Sequence, residues 1–306
     1  MTWEAVATKE FRDAIRSRWL QGATLVLTIL LAGTTGVFFG VILGSEAREI
    51  SNLFGIFINL GVFNFSFTGL IGLILGFIAL STTYGSITDE RASGSIKLLL
   101  SLPNDRQDVV IGKFLGRTAV VVASVLIAFI ITFMILIATG TSLQLGMFLP
   151  HIALTVLLGI VFAAIGLGIS AGADSNREAT LSAMALYLIF ALLWGAVASG
   201  IPRILLAATN QVNGLSLSET TQATIAIALS YLNPLRLYET LAAQLYSSPA
   251  TARLVTASLQ QRALLAPQFE SSVPPYFSGW ALLVVFILWV ILPIIVGYSI
   301  FERRDL

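Results

Sequence analysis

The side chains able to do chemistry are few and unevenly placed. The chain has no cysteine and a single histidine, His151. Disulfides, thiolate metal sites and cysteine nucleophiles are therefore excluded. The charged residues cluster in one place. Segment 88–117, TDERASGSIKLLLSLPNDRQDVVIGKFLGR, holds five of the seventeen Lys and Arg. The runs on either side, 50–88 and 118–150, carry no charge at all. Within the island, Gly112-Lys113-Phe114 is the nearest approach to a phosphate-binding loop, and it lacks both the first glycine and the hydroxyl residue. The chemistry left to these residues is electrostatic docking rather than bond making.

The elements that must position the island follow from composition. The 306 residues are 57% hydrophobic and only 11% charged, where a soluble domain carries about 25% charged residues. This is the composition of an integral membrane protein, and its net charge of +1 argues against a nucleic-acid partner, which calls for a basic face. A spanning helix needs ~20 mostly apolar residues. Six charge-free runs qualify, with helices expected near 21–43, 56–83, 118–140, 150–172, 179–201 and 278–301. The expected fold is all-α and polytopic. The basic residues place both termini in the cytoplasm: Lys9, Arg12, Arg16, Arg18, the five of the island, Arg177, Arg303 and Arg304 then fall inside. A seventh span over 204–232 is rejected, because Glu219 and several Asn, Gln, Ser and Thr interrupt it.

The parts outside the spans read as follows. Residues 1–20 form an amphipathic interfacial helix with Trp3, Ala7, Phe11, Ile15 and Trp19 on one side. It serves either as a topogenic anchor or in coupling. In the island, Gly94 breaks the pattern, residues 96–102 make a short apolar helix, and Pro103 ends it. Asn104 with Gln107 then starts a helix that runs into the third span. Exposed leucines such as Leu98 and Leu99 mark either a partner site or a segment dipping into lipid headgroups. Residues 202–277 are expected as a small helical cap outside the membrane, with Ser216 and Glu219 opening one helix and Asn233-Pro234 another. The core, 21–201, carries the coupling segment 88–117, and 278–306 is the last span and tail. Asn59 and Asn64, expected early in the second span, either line a cavity or bond between helices.

These pieces resemble type-2 ABC exporter permeases, the nitrous-oxide-reductase maturation permeases among them. The resemblance rests on Glu90, Gly94, Leu-Leu-Ser-Leu-Pro at 99–103, Arg106 and Gly112-Lys113. The opening KEFRDAIRSR (9–18), Asn233-Pro234-Leu235 and the closing FERRDL (301–306) fall in the same order. The long segment before the last span departs from the short hairpin common in that family. The resemblance implies a non-catalytic permease subunit in a prokaryotic plasma membrane. It would work as a homodimer with separate ATPase subunits, which alone bind ATP and Mg. Glu90, Gly94, Leu98, Leu99, Pro103, Arg106 and Lys113 would form the docking segment for the ATPase, with Arg177 in a smaller second contact. Charge-free spans favour a hydrophobic or amphiphilic cargo such as lipid, peptide or drug-like molecules. Two rivals are a force-transmitting complex acting on an extracytoplasmic partner without bulk transport, and a secondary transporter. The latter is disfavoured by the lack of ionisable residues in the spans.

Overall fold

The computed structural model describes residues 3–42, 57–60, 63–94, 106–210 and 218–303. Six of its helices are long and apolar enough to cross a membrane, and the chain is a multi-pass membrane protein. Helix α1 (Trp3–Ile15) ends at an elbow, where Ser17 is extended (φ −67°, ψ 121°) and opens α2 (Arg18–Gly40). Helix α2 contains a π-helical turn at Ile29–Gly33. Helix α3 (Phe67–Thr83) is capped by Ser66, whose hydroxyl accepts from Gly69 N. A short α4 (Thr88–Ala92) follows, and Gly94, at φ +73°, turns the chain away in a conformation that a side chain would strain.

Helix α5 (Arg106–Ala138) is one uninterrupted helix of 33 residues. At 1.5 Å per residue it is about 50 Å long, well beyond the ~30 Å of a hydrocarbon core. Its first turns, with Lys113 and Arg117, therefore project past the lipid at the end that carries the island. Helix α6 (Leu145–Gly172) is apolar on all sides and sits at the centre, against α3, α5 and the last span, α12 (Gly279–Glu302). A helix apolar all round belongs in a core. The α6–α12 crossing is backbone to backbone. A Cβ on Gly168 would stand 2.4 Å from Pro293 O, and one on Gly297 2.7 Å from Gly168 Cα. Helix α7 (Asn176–Ala208) packs lightly, leaving Leu181, Met184, Leu188, Leu192 and Leu193 exposed as a lipid-compatible face.

The structure corrects two expectations. The second span does not begin near 56. Residues Phe57–Leu60 (β1) and Phe63–Ser66 (β2) pair as an antiparallel hairpin, with Asn59 opposite Asn64, and the helix starts only at Phe67. Asn59 and Asn64 are thus hairpin residues. The segment before the last span is also not simply a cap. Helix α8 (Glu219–Ser230) runs back along α7, and α9 (Pro234–Tyr246) returns against α3, α6 and α12. The turn between them lies deep. Trp194 Nε1 donates to Leu229 O at 3.0 Å, Asn233 Nδ2 to Phe190 O at 2.7 Å, and Trp289 Nε1 to Leu232 O at 3.0 Å. Phe190, Trp194 and Trp289 lie near the middle of their spans, so the pair is a re-entrant hairpin. Its exposed carbonyls are satisfied by side-chain donors from the spans, as a membrane interior requires. The observed cap of α8 is Ser218, not Ser216, which lies outside the described residues. Helices α10 (Pro249–Arg253) and α11 (Leu259–Ser271) follow at the far end. Buried Arg253 ties them down, donating to Phe277 O and, at 2.7 Å, to Gln244 Oε1.

Candidate functional site

The site is built where α1 meets the projecting end of α5. Two glycines one turn apart, Gly112 and Gly116, seat α1. A Cβ at Gly112 would lie 2.6 Å from Val6 Cβ and 2.8 Å from Trp3 O, and one at Gly116 2.5 Å from Ala7 O. Only hydrogen fits at either place. The buried face of α1 is therefore centred on Val6 and Glu10. The expected aromatic stripe is turned partly outward, with Trp3, Ile15 and Trp19 exposed. Helix α1 packs on protein as much as it faces the headgroups.

Between the two glycines stands Lys113, fully buried. Its Nζ lies 2.7 Å from Glu10 Oε1 and 2.8 Å from Glu90 Oε1. One cation thus joins α1, α4 and α5. Arg117, one turn on, donates from Nε to Glu10 Oε2 at 2.7 Å, and its Nη1 donates to Thr82 O at the end of α3. Lys9 approaches Glu90 at 3.4 Å from the exposed side. Burial alone would raise the Glu10 carboxyl. Lys113 and Arg117 outweigh it and hold the group below its ordinary value. The excess of positive over negative charge in this cluster is what permits two carboxylates to sit together out of water.

The clasp extends to the turn between α6 and α7. Ser170 Oγ accepts from Ile87 N at 2.9 Å and Thr88 N at 3.3 Å. Arg91 Nη1 donates to Ala173 O at 2.8 Å, and Asn176 Nδ2 to Asp89 Oδ1 at 2.6 Å. An apolar cluster of Ile87, Val110, Leu167, Ala171 and Phe301 closes beneath these contacts. The base of the island is therefore fastened to α1, α5, α6, α7 and the end of α12.

Among the residues singled out in the sequence, Glu90 and Lys113 are brought together, clamping the two ends of the island. Gly94 is the turn that releases the chain from α4. Arg106 begins α5. Arg177 is exposed on the first turn of α7, beside the Asn176–Asp89 contact. Leu98, Leu99 and Pro103 lie outside the described residues. Sequence reasoning missed Glu10 and Arg117. The available signal was the small-xxx-small spacing of Gly112 and Gly116, which marks a helix seat, and the position of Glu10 one turn from Val6.

The fold and this clasp define a six-span membrane subunit whose polar loop, between the second and third spans, is braced at its base. Residues 4–306 match the family described as ABC-2 family transporter protein, and the chain belongs to that family. It is similar to the probable ABC transporter permease protein NosY of Pseudomonas aeruginosa, 29% identical over 193 residues, covering 62% of this chain and 66% of that protein. It is also similar to the probable ABC transporter permease protein NosY of Stutzerimonas stutzeri, 28% identical over 196 residues, covering 63% of this chain and 67% of that protein. The chain thus spans about two thirds of the length of these relatives.

Proposed function

We propose that this chain is the permease subunit of an ATP-driven exporter, docking a separate ATPase subunit through segment 88–117. The observation that carries the reading is the buried Lys113 of α5, held by Glu10 of α1 and Glu90 of α4, which fixes both ends of the island to α1. The relatives' printed name, ABC transporter permease, supports an ATPase partner. ATP and Mg belong to that partner, and this chain does no covalent chemistry. The basic residues gathered at the island end support cytoplasmic termini and insertion in the plasma membrane of a prokaryote. Two copies of the chain enclose the path.

In this reading the motion passes along α3. At the island end, Thr82 O receives Arg117; at the far end, Gly69 and Gly72 press on Glu239 and Tyr238 of α9. A shift of the island therefore reaches the re-entrant hairpin through one rigid helix. A groove of about 440 Å³ between α2, α3 and α7, walled by Trp19, Phe77, Tyr84, Met184 and Tyr187, suits a hydrophobic or amphiphilic cargo. A second reading, force delivered to an extracytoplasmic partner without bulk flux, is favoured by the same α3–α9 contact, because α9 continues into α10 and α11. ATP-dependent cargo flux in vesicles holding both subunits separates the two. ATPase activity that responds to an added outer partner while flux is absent would replace export with force transmission. Flux driven by an ion gradient with no ATPase subunit present would sink both.

A further inference from the structure

The far end of the molecule holds a pocket that the clasp does not use, beside the contact of α3 with α9. Its volume is about 410 Å³, and it lies between the start of α3 and helices α9, α10 and α11. That volume is within the ~300–1,000 Å³ of small-molecule sites. Among its lining residues is Glu239, 7% exposed. Glu239 Oε1 accepts from the Ser66 hydroxyl at 2.8 Å, and Oε2 faces Arg236 Nη1 at 3.0 Å. A carboxylate offers about four acceptor positions, so these two contacts leave capacity for more. Space for the carboxylate exists because residue 69 is glycine: a Cβ there would stand 2.0 Å from Glu239 Oε1.

The surroundings select the ligand. Hydroxyls of Ser66, Thr68, Ser247 and Thr251 line the same pocket, with the Tyr246 ring on one wall and Ala243, Leu254 and Val255 on others. A second carboxylate, Glu270, also borders it. Among the described residues the lining holds one cation, Arg262, which spends Nε on Ala257 O at 3.1 Å and Nη2 on Val255 O at 2.7 Å. An anionic ligand would meet two carboxylates. Arg236 and Ser66 occupy part of Glu239, but a neutral apolar ligand would leave its remaining acceptor positions facing hydrocarbon, at a desolvation cost. A primary ammonium on a small apolar body meets both demands. Its three N–H donors find a carboxylate and hydroxyl oxygens, and its body meets the aliphatic walls and an aromatic ring.

We infer that this pocket binds a primary ammonium group carried on a compact apolar or amphiphilic body. The ammonium comes either from an aminophospholipid headgroup or from a soluble amine. The inference concerns the far end of the bundle and does not rest on ATP coupling, so its failure would leave the clasp untouched.

The test titrates the full-length protein, in phosphatidylcholine nanodiscs, with 2-phenylethylamine and with its neutral analogue 2-phenylethanol, read by calorimetry. The amine should bind saturably, one per chain, and at least roughly tenfold more tightly than the alcohol. Glu239→Gln should remove that preference. Because Glu239→Gln also disturbs Ser66 and Arg236, a second variant, Ala243→Trp, fills the pocket without touching the carboxylate. It should abolish amine binding while keeping the wild-type melting temperature. Equal affinity for amine and alcohol, or unchanged amine binding by Ala243→Trp, would overturn the inference. In discs containing phosphatidylethanolamine, a raised apparent Kd for the amine identifies the headgroup as occupant, whereas an unchanged value assigns the site to a soluble amine.

Discussion

Replacing Lys113 by Met should release the island from the bundle. The change keeps the side chain's length and removes a fully buried cation that serves two carboxylates at 2.7 and 2.8 Å. Removing one partner of a buried pair costs ~3–5 kcal/mol, because the other charge is left uncompensated. Two features lower the figure here. Glu10 keeps Arg117 at 2.7 Å. The Glu90 side chain is 14% exposed and keeps Lys9, though at 3.4 Å and on a side chain that is 55% exposed. An expected loss of about 2–3 kcal/mol follows, equivalent to a roughly 30- to 150-fold shift toward the released island at 1.36 kcal/mol per tenfold. The chain has no native cysteine, so nitroxide labels at Thr8→Cys and Ser93→Cys report cleanly on the distance between α1 and the end of α4. Wild type should give one narrow distance distribution, and Lys113→Met a broad one centred further out. Stimulation of the ATPase subunit should fall in parallel. Adding Glu90→Gln should recover part of both, since the stranded carboxylate is then gone. A narrow, unshifted distribution in Lys113→Met would refute the clasp.

Further expectations follow from the same contacts. Gly116→Leu should detach α1, because even a Cβ would lie 2.5 Å from Ala7 O; loss of protease protection over 3–15 and a stability drop of about 1–3 kcal/mol would be measured on the purified protein. The Glu10 carboxyl titrates below its ordinary value of 4.5, so its contribution is full above that pH and is lost as pH falls below it. Melting temperature against pH should show this acid-side loss in wild type, and Glu10→Gln should flatten it. Asn233→Leu should cost about 1–3 kcal/mol by removing the bond to Phe190 O and the cap of α9. Hydrogen exchange should then quicken in 219–246 before the rest of the bundle.

Much of the architecture was legible because charge is scarce. Six charge-free runs mark six spans, and the island stands out because its charges are gathered between two of them. The two ends of the clasp, Glu90 and Lys113, were named through the family resemblance. Their partners could not. Glu10 lies about a hundred residues from Lys113, on a face hidden by the more obvious aromatic stripe of α1, and only the packing of Gly112 and Gly116 chooses between the two faces. The hairpin at 57–66 was absorbed into a span because it lies in a charge-free run continuous with the helix, while the Phe and Ile of FINL and FNFS suit strands. The re-entrant pair escaped because a hydropathy window needs about 19 residues. Helix α8 has 12, and α9 is an amphipathic 13 that buries Glu239. The polar residues near 219 that argued against a seventh span are the start of a helix that enters and turns back.

The most direct test of the central claim is site-specific photocrosslinking from the island in native membranes. A photoreactive residue at Leu99 should trap one protein, identified by mass spectrometry as an ABC ATPase subunit, and a probe at Gln268 on the far end should not trap it. Capture of the ATPase from Gln268, or only lipid adducts from Leu99, would contradict the account.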